Sequence, residues 1–184
     1  SKYLNLIVLQ FLNMFFYKNT RGFLTKFFLG MVMCGFSIFV FISLYSHSTD
    51  DYGFGVASSI ADIQNMGGLY GAYTSSILVI FFSYSAYLFS FFFFIHGSKF
   101  ILGMRNQYFL FKLLLFLLAI GLINLSFAII NKSEALVGVF LRNLFNNFFG
   151  NYFVGNFSTL LLVIFLITIS VFLFYYSIGL NIKY

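Results

Sequence analysis

The sequence contains no proline and no tryptophan, and only one of its 184 residues is a cysteine. That residue, Cys34, cannot form a disulfide within the chain, and its place inside an apolar run is typical of a small buried side chain. Without tryptophan, tyrosine must supply any aromatic belt at a membrane surface. The pattern G-x-x-x-x-G-K-[ST] does not occur, so the chain lacks the loop that commonly holds nucleotide phosphates.

Charge is also scarce, since 8% of the residues are charged whereas 61% are hydrophobic. A soluble domain of this size could not bury so much apolar surface and would expose patches that aggregate. The composition therefore predicts an integral membrane protein. The net charge of +6 could indicate a nucleic-acid partner, but the basic residues flank the apolar runs, which favours a role in membrane topology.

Four uncharged apolar runs are long enough to cross a bilayer core of about 30 Å as helices, at about 1.5 Å per residue. They cover about residues 27–45, 72–95, 113–130 and 157–178. We therefore predict an all-α, multi-pass membrane protein in which residues 27–184 form a four-span domain. The absence of Asp, Glu, Lys and Arg from all four runs argues against pumps and coupled transporters, because those proteins use such groups to relay ions.

Two other segments have the pattern of amphipathic helices that lie in the membrane interface. The first is the basic N-terminal segment, residues 1–26, whose early polar side chains fall on one helical face: Lys2, Asn5, Gln10 and Asn13. A signal peptide is the alternative, although basic residues rather than a cleavage site follow its apolar run. The second segment runs from Leu136 to Phe149 in the outer loop, and Arg142 near its middle argues against a fifth span.

The distribution of basic residues predicts the orientation of the spans. Basic residues without any acidic residue occupy the N-terminal segment, the connection between the second and third spans and the tail: Lys2, Lys18, Arg21, Lys26, Lys99, Arg105, Lys112 and Lys183. The other two connections hold all four acidic residues and two basic ones. Because cytoplasmic loops carry the excess of Lys and Arg, we predict that both termini are cytoplasmic.

Few side chains suggest chemistry. His47 and His96 lie at opposite ends of spans and on opposite predicted sides of the membrane, so we do not expect them to share a metal or a haem. Asp50 and Asp51 could form a cation site at the outer face, although a solvated pair of loop carboxylates is much more common. We predict no catalytic, cofactor-binding or metal-binding residue.

Polar residues inside the spans predict contacts between helices. Asn124, in the third span, is expected to hydrogen-bond across a helix contact, with a pore-lining role as the alternative. Small residues, which let helices approach closely, recur in the second span: Ser75, Ser76, Ser83, Ser85, Ala86 and Ser90. We therefore expect the second span to pack closely against another helix.

Three short motifs, at residues 44–51, 65–73 and 86–88, are similar to motifs of a known family. The positions that match are Tyr45, Asp50, Asn65, Gly68, Gly71, Ala72 and Tyr87. The most specific stretch is 65–73, which is similar to Asn-x-x-Gly-x-x-Gly-Ala. Together the motifs resemble the membrane domain of the FtsK/SpoIIIE DNA translocases over roughly residues 27–184. Where that family usually has prolines, this chain has His47 and Tyr70.

The resemblance implies a non-catalytic membrane anchor at the division septum of the bacterial inner membrane. It also implies a homo-oligomer in the lipid bilayer, with divisome membrane proteins as further partners. In that family a linker and a hexameric ATPase motor follow the anchor and move DNA during chromosome segregation and cell division. This chain is expected to lack both, so DNA and ATP would be partners only through a motor that is not present here. The alternative is a small subunit of a respiratory or transport membrane complex.

Overall fold

The computed structural model describes residues 20–54, 63–104, 108–130, 135–149 and 156–179. The helices, in chain order, are α1 (Thr20–Tyr45), α2 (Gly68–Phe82), α3 (Tyr87–Ile101), α4 (Phe109–Ile129), α5 (Leu136–Phe149) and α6 (Asn156–Ile178). A 3-10 turn, Ser83–Ala86, connects α2 to α3. These ranges contain no β-strand. Most of the predicted N-terminal interfacial helix lies outside the described residues.

Four helical stretches are long and apolar enough to cross a membrane: Gly22–Tyr45, Gly68–Ile101, Phe109–Ile129 and Phe157–Ile178. The predicted all-helical class with four candidate spans is therefore confirmed. Large apolar side chains on these helices are exposed, including Phe28, Leu114 and Phe165. Such a surface suits contact with lipid tails, where a helix satisfies its own backbone hydrogen bonds.

The helices pair as α1 with α3 and as α4 with α6. Small residues make the contact between α1 and α3, since a Cβ added at Gly30 would lie 2.7 Å from the carbonyl oxygen of Gly97. Two turns along, Ser37 and Ser90 each donate a hydroxyl hydrogen bond to the other's carbonyl oxygen, at 2.7 and 3.0 Å. The predicted close packing of the second span is therefore confirmed at Ser90.

Aromatic rings and one amide join the two helix pairs. Phe92 of α3 stacks on Phe116 of α4 with ring centroids 4.2 Å apart, and Phe174 of α6 lies 6.1 Å from Phe116. Asn124 Nδ2 of α4 donates a hydrogen bond of 2.8 Å to Ser85 Oγ in the 3-10 turn. The hydrogen bond predicted for Asn124 is confirmed, because it links two elements inside the bundle.

The second candidate span is broken near its middle. Its 34 residues would make a straight helix about 51 Å long, whereas a bilayer core is about 30 Å thick. Ser83, with φ 51° and ψ −135°, ends α2 in a conformation that few non-glycine residues adopt. The sequence predicts one helix over 72–95, and the structure has two helices with the turn between them.

Both ends of α2 lie near the same end of α1. At the start of α2, a Cβ added at Gly71 would lie 3.1 Å from Ser43 Oγ. Beyond its last residue, Ala86 packs in one cluster with Val40 and Leu44. α2 therefore crosses the end of α1, and α3 then runs back along α1 from the break.

Helix α5 lies against α4. A Cβ added at Gly138 would lie 2.7 Å from the carbonyl oxygen of Asn124, and Arg142 Nη1 donates to the carbonyl oxygen of Ala128 at 3.1 Å. Its exposed faces are an apolar one, Leu136, Phe140, Leu144 and Phe148, and a polar one, Asn143, Asn146 and Asn147. One side of α5 therefore packs on α4, and the exposed remainder is divided into an apolar and a polar face, as in a helix that lies in the membrane interface. The interfacial position itself stays a prediction.

The end of α6 lies beside the end of α3, away from the turn at Ser83–Ala86. Lys99 Nζ donates to the carbonyl oxygens of Ile178 and Gly179 at the end of α6. A cation is favourable there because the last carbonyl groups of a helix carry partial negative charge. The early part of α1 reaches the same end of the bundle, since Gly30 lies against Ile101.

Candidate functional site

Residues 46–54 and 63–76 cover the end of α1, and we call them the polar cap. Asn65 lies at its centre and is only 5% exposed. Its Nδ2 donates to the carbonyl oxygens of Ser43 at 2.8 Å and Ser46 at 3.2 Å, and its Oδ1 accepts from the backbone N–H of Gly67 at 2.9 Å. Since the last carbonyl groups of a helix have no partner within it, Asn65 supplies the donors that the end of α1 lacks.

Glycines in the cap allow this approach. Gly68 has φ 61°, a left-handed conformation that glycine adopts without steric cost. At Gly71 a Cβ would overlap Asn65 Oδ1, and at Gly67 it would lie 2.9 Å from Ser43 Oγ. The backbone of α2 can therefore reach Asn65 and Ser43 only where side chains are missing.

The other motif residues divide into buried and exposed positions. Ala72 is buried, and the Tyr87 hydroxyl donates to the carbonyl oxygen of Leu44 at 3.0 Å. Tyr45 is 71% exposed, and Asp50, five positions later, is also exposed. The structure thus places Asn65, Gly71, Ala72 and Tyr87 around the end of α1, and it leaves Tyr45 and Asp50 on the surface.

Asp51 belongs to the pair of carboxylates, Asp50 and Asp51, for which the sequence favours a solvated position over a cation site. It is 5% exposed, and its Oδ1 accepts from the backbone N–H of Gln64 at 2.7 Å. Its Oδ2 is buried and has no hydrogen-bond partner. The expected solvated pair of carboxylates is therefore wrong for Asp51, although it holds for its neighbour Asp50.

His47 lies beside the same network. Its Nδ1 is 3.1 Å from Ser75 Oγ, and Ser75 Oγ itself donates to the carbonyl oxygen of Ala72 at 3.1 Å. Because a hydroxyl has a single hydrogen, Ser75 donates either to Ala72 or to His47, and the direction of the His47 contact depends on the imidazole tautomer. Burial lowers the pKa of His47, and the nearby Asp51 carboxylate partly offsets this effect.

A second contact holds the loop against α2. Ser76 Oγ accepts from the backbone N–H of Phe54 at 2.9 Å, and a Cβ added at Gly53 would lie 2.6 Å from Ser76 Oγ. Tyr52 packs edge-on against Tyr73 with ring centroids 5.5 Å apart. A hydrogen bond and ring packing therefore fix residues 52–54 on the first three turns of α2.

His96 lies far from the cap, as predicted. It is fully buried at the other end of the bundle, where its ring centroid is 4.4 Å from that of Phe92 and its Nε2 is 3.0 Å from the carbonyl oxygen of Ser177. Cys34 Sγ lies 3.9 Å from Ser98 Oγ in the contact between α1 and α3. Within the described ranges, no three His, Cys, Asp or Glu side chains form a group that could hold a metal.

Comparison with known proteins identifies a family that matches most of the chain. The family described as the 4TM region of DNA translocase FtsK/SpoIIIE matches residues 24–180. No curated protein and no solved structure matches the chain. The matched range covers the polar cap and nearly all of the four candidate spans.

Proposed function

This chain belongs to the family of the 4TM region of FtsK/SpoIIIE DNA translocases, and we propose that it is a non-catalytic anchor that holds such a translocase in the membrane. The family match over residues 24–180 carries this proposal, and it agrees with the motifs seen in the sequence. The four candidate spans lie in the matched range. No observation of similar weight favours a subunit of a respiratory or transport complex.

The proposed topology places both termini in the cytoplasm and the polar cap outside. Two features support it. The early part of α1 and the end of α6 lie at one end of the bundle, where Lys99 is found. Asp50 and Asp51 lie in the cap at the other end, and residues 46–76 contain no Lys or Arg. A cytosolic motor attached after α6 would then lie on the correct side of the membrane.

The remaining parts of the proposal rest on the family. They are assembly into a homo-oligomer, a septal location in the bacterial inner membrane, and a role in chromosome segregation and cell division. The polar cap is our candidate contact surface for divisome membrane proteins, because its hydrogen-bonded loop lies on the proposed outer side. Anchoring would act by raising the local concentration of the motor at the division site, as tethering does.

Reporter fusions test the topology. Two reporters are fused in turn after Phe54 and after Tyr184. Alkaline phosphatase is active only outside the cytoplasm, whereas green fluorescent protein becomes fluorescent only inside it when the fusion is inserted unfolded into the membrane. We expect phosphatase activity at Phe54 and fluorescence at Tyr184. A fusion after Met104 is the matched internal control, and it should behave like Tyr184. Phosphatase activity at Tyr184 would overturn the anchor proposal.

The location of the chain in the cell and the proteins that bind it test the remaining parts of the proposal. A fluorescent fusion of the chain is expected to gather at division sites, and crosslinking in membranes is expected to give multiples of one chain. A uniform membrane distribution, together with co-purification of quinone- or haem-bearing proteins, would instead support the respiratory or transport subunit.

A further inference from the structure

Two lysine side chains converge at the end of the bundle that lies opposite the polar cap. Lys99 belongs to the last turn of α3, and Lys112 belongs to the first turn of α4. A Cβ added at Gly179, just after α6, would lie 2.7 Å from Lys112 Nζ and 3.4 Å from Lys99 Nζ. The two ammonium groups therefore lie close to a single point, where the ends of three helices meet.

The sequence around these lysines has an excess of positive charge. Residues 96–112 and 170–184 contain no Asp or Glu, but they contain four basic residues: Lys99, Arg105, Lys112 and Lys183. The carbonyl oxygens of Ile178 and Gly179 accept from Lys99, yet the end of a helix carries only about half an elementary negative charge. Two neighbouring ammonium groups therefore favour the approach of an anion.

Tyrosines place the lysine pair at the depth of lipid headgroups. Tyr175 and Tyr176, one turn before Gly179, are exposed, and so is Tyr108, which directly precedes α4. In a chain without tryptophan, exposed tyrosines mark the level at which a helix passes from hydrocarbon to headgroups. Both lysines are only partly buried, so a headgroup can reach them from the side of the bundle without entering a cavity.

We propose that Lys99 and Lys112 bind the phosphate group of an anionic phospholipid, such as phosphatidylglycerol, where α3, α4 and α6 meet. Lysine binds phosphate as a point charge, and basic pockets between membrane-spanning helices hold anionic headgroups. A free phosphate ion has the same chemistry, but the exposed rings of Phe111 and Phe172 beside the site offer apolar surface to the lipid chains. Only the assignment of this lipid to the cytoplasmic leaflet rests on the proposed topology.

Lys26 offers a matched control. It is exposed in α1 at the same end of the bundle, because Gly30, one turn further on, lies against Gly97 of α3. Lys99, two positions after Gly97, lies on the other face of α3, so this helix separates Lys26 from the lysine pair. A general attraction to anionic lipid would depend on Lys26 as much as on Lys112, whereas a defined site would not.

The test counts the lipids bound to the purified chain in detergent micelles by native mass spectrometry. We expect one phosphatidylglycerol per chain, bound at least about 10-fold more tightly than phosphatidylcholine with the same acyl chains. Lys99→Gln and Lys112→Gln should each weaken this binding by about fivefold, the usual contribution of one lysine near an anionic membrane surface. Lys26→Gln should weaken it by less than about twofold, because salt screens distant charges.

Inorganic phosphate distinguishes a lipid site from a site for free phosphate. An excess of the ion should leave phosphatidylglycerol bound, because the ion has no acyl chains to bury against the helices. Displacement of the lipid by phosphate, equal binding of the two lipids, or equal losses in Lys26→Gln and Lys112→Gln would each overturn the site. Reporter fusions that place the cap inside the cell would change the leaflet and leave these results as they are.

A second measurement uses the wild type, because Lys99→Gln also removes the bond to the end of α6. The chain is inserted into phosphatidylcholine vesicles with or without phosphatidylglycerol, and its lysines are labelled with a membrane-permeant amine reagent. Mass spectrometry of the peptides then gives the labelling rate of each lysine. Phosphatidylglycerol should slow the labelling of Lys112 relative to Lys26, and an unchanged ratio of the two rates would exclude the site.

Discussion

Replacement of Asn65 by alanine is expected to lower the free energy of unfolding by about 2–4 kcal/mol. The side chain makes three hydrogen bonds of 3.2 Å or less, to the carbonyl groups of Ser43 and Ser46 and from the N–H of Gly67. Each is worth about 1 kcal/mol net, and buried groups left without partners add to the loss. The end of α1 and the start of α2 would both lose their shared anchor point.

Equilibrium unfolding of the purified chain in mixed micelles, followed by circular dichroism, measures this loss. The control is Gln64→Ala, which removes a neighbouring amide from an exposed side chain, while the backbone N–H of residue 64 still bonds to Asp51. That control should change stability by less than about 0.5 kcal/mol. If Asn65→Ala and Gln64→Ala unfold with the same free energy, Asn65 does not hold the cap together as argued.

Three further predictions follow from close contacts and from charge. Gly71→Ala should destabilise the wild type by about 1–3 kcal/mol, because the new Cβ would overlap the Asn65 side chain. The same change should destabilise an Asn65→Ala variant less, because that side chain is gone. Strictly additive losses in the double-mutant cycle would contradict this. Gly30→Ala should also destabilise the chain by about 1–3 kcal/mol, because its Cβ would meet the backbone of α3. The control is Gly35→Ala in the same helix, whose Cβ would meet nothing within 4 Å, so this change should be neutral or stabilising by up to about 1 kcal/mol. Equal effects of the two changes on the unfolding free energy would refute the close crossing of α1 and α3. Because the pKa of His47 is lowered in the fold, the unfolded state binds more protons as the pH falls below the ordinary value of about 6.5. The contribution of His47 to stability should therefore be fully present above that pH and decrease as the pH falls toward the folded pKa. His47→Asn should flatten this dependence, and an unchanged slope would show that another group is responsible.

The four candidate spans could be predicted from the sequence, but the break in the second could not. Hydropathy depends on composition, so an uncharged run of sufficient length is visible in one dimension. Around Ser83 the run has no proline or glycine that would mark a turn. The break lies where α2 and α3 meet another helix, at the hydrogen bond from Asn124 to Ser85. Such contacts join residues far apart in the chain and leave no local pattern.

The polar cap was predictable in part. The motif at 65–73 indicated that Asn65 and Gly71 belong together, but not that Asn65 bonds to the end of α1. For Asp50 and Asp51 the sequence offers two identical neighbours, and one is exposed whereas the other is buried. The choice between them depends on the N–H of Gln64, which lies 13 positions along the chain.

The bond between Lys99 and the end of α6 has a mechanical consequence. Lys99 ties the end of the last helix to α3, and the contact of Gly97 with Gly30 ties α3 to α1. Tension applied beyond Gly179 would therefore be shared among three helices from the first moment. These three helices would resist extraction together, because α6 could not be pulled out without first breaking its bond to α3.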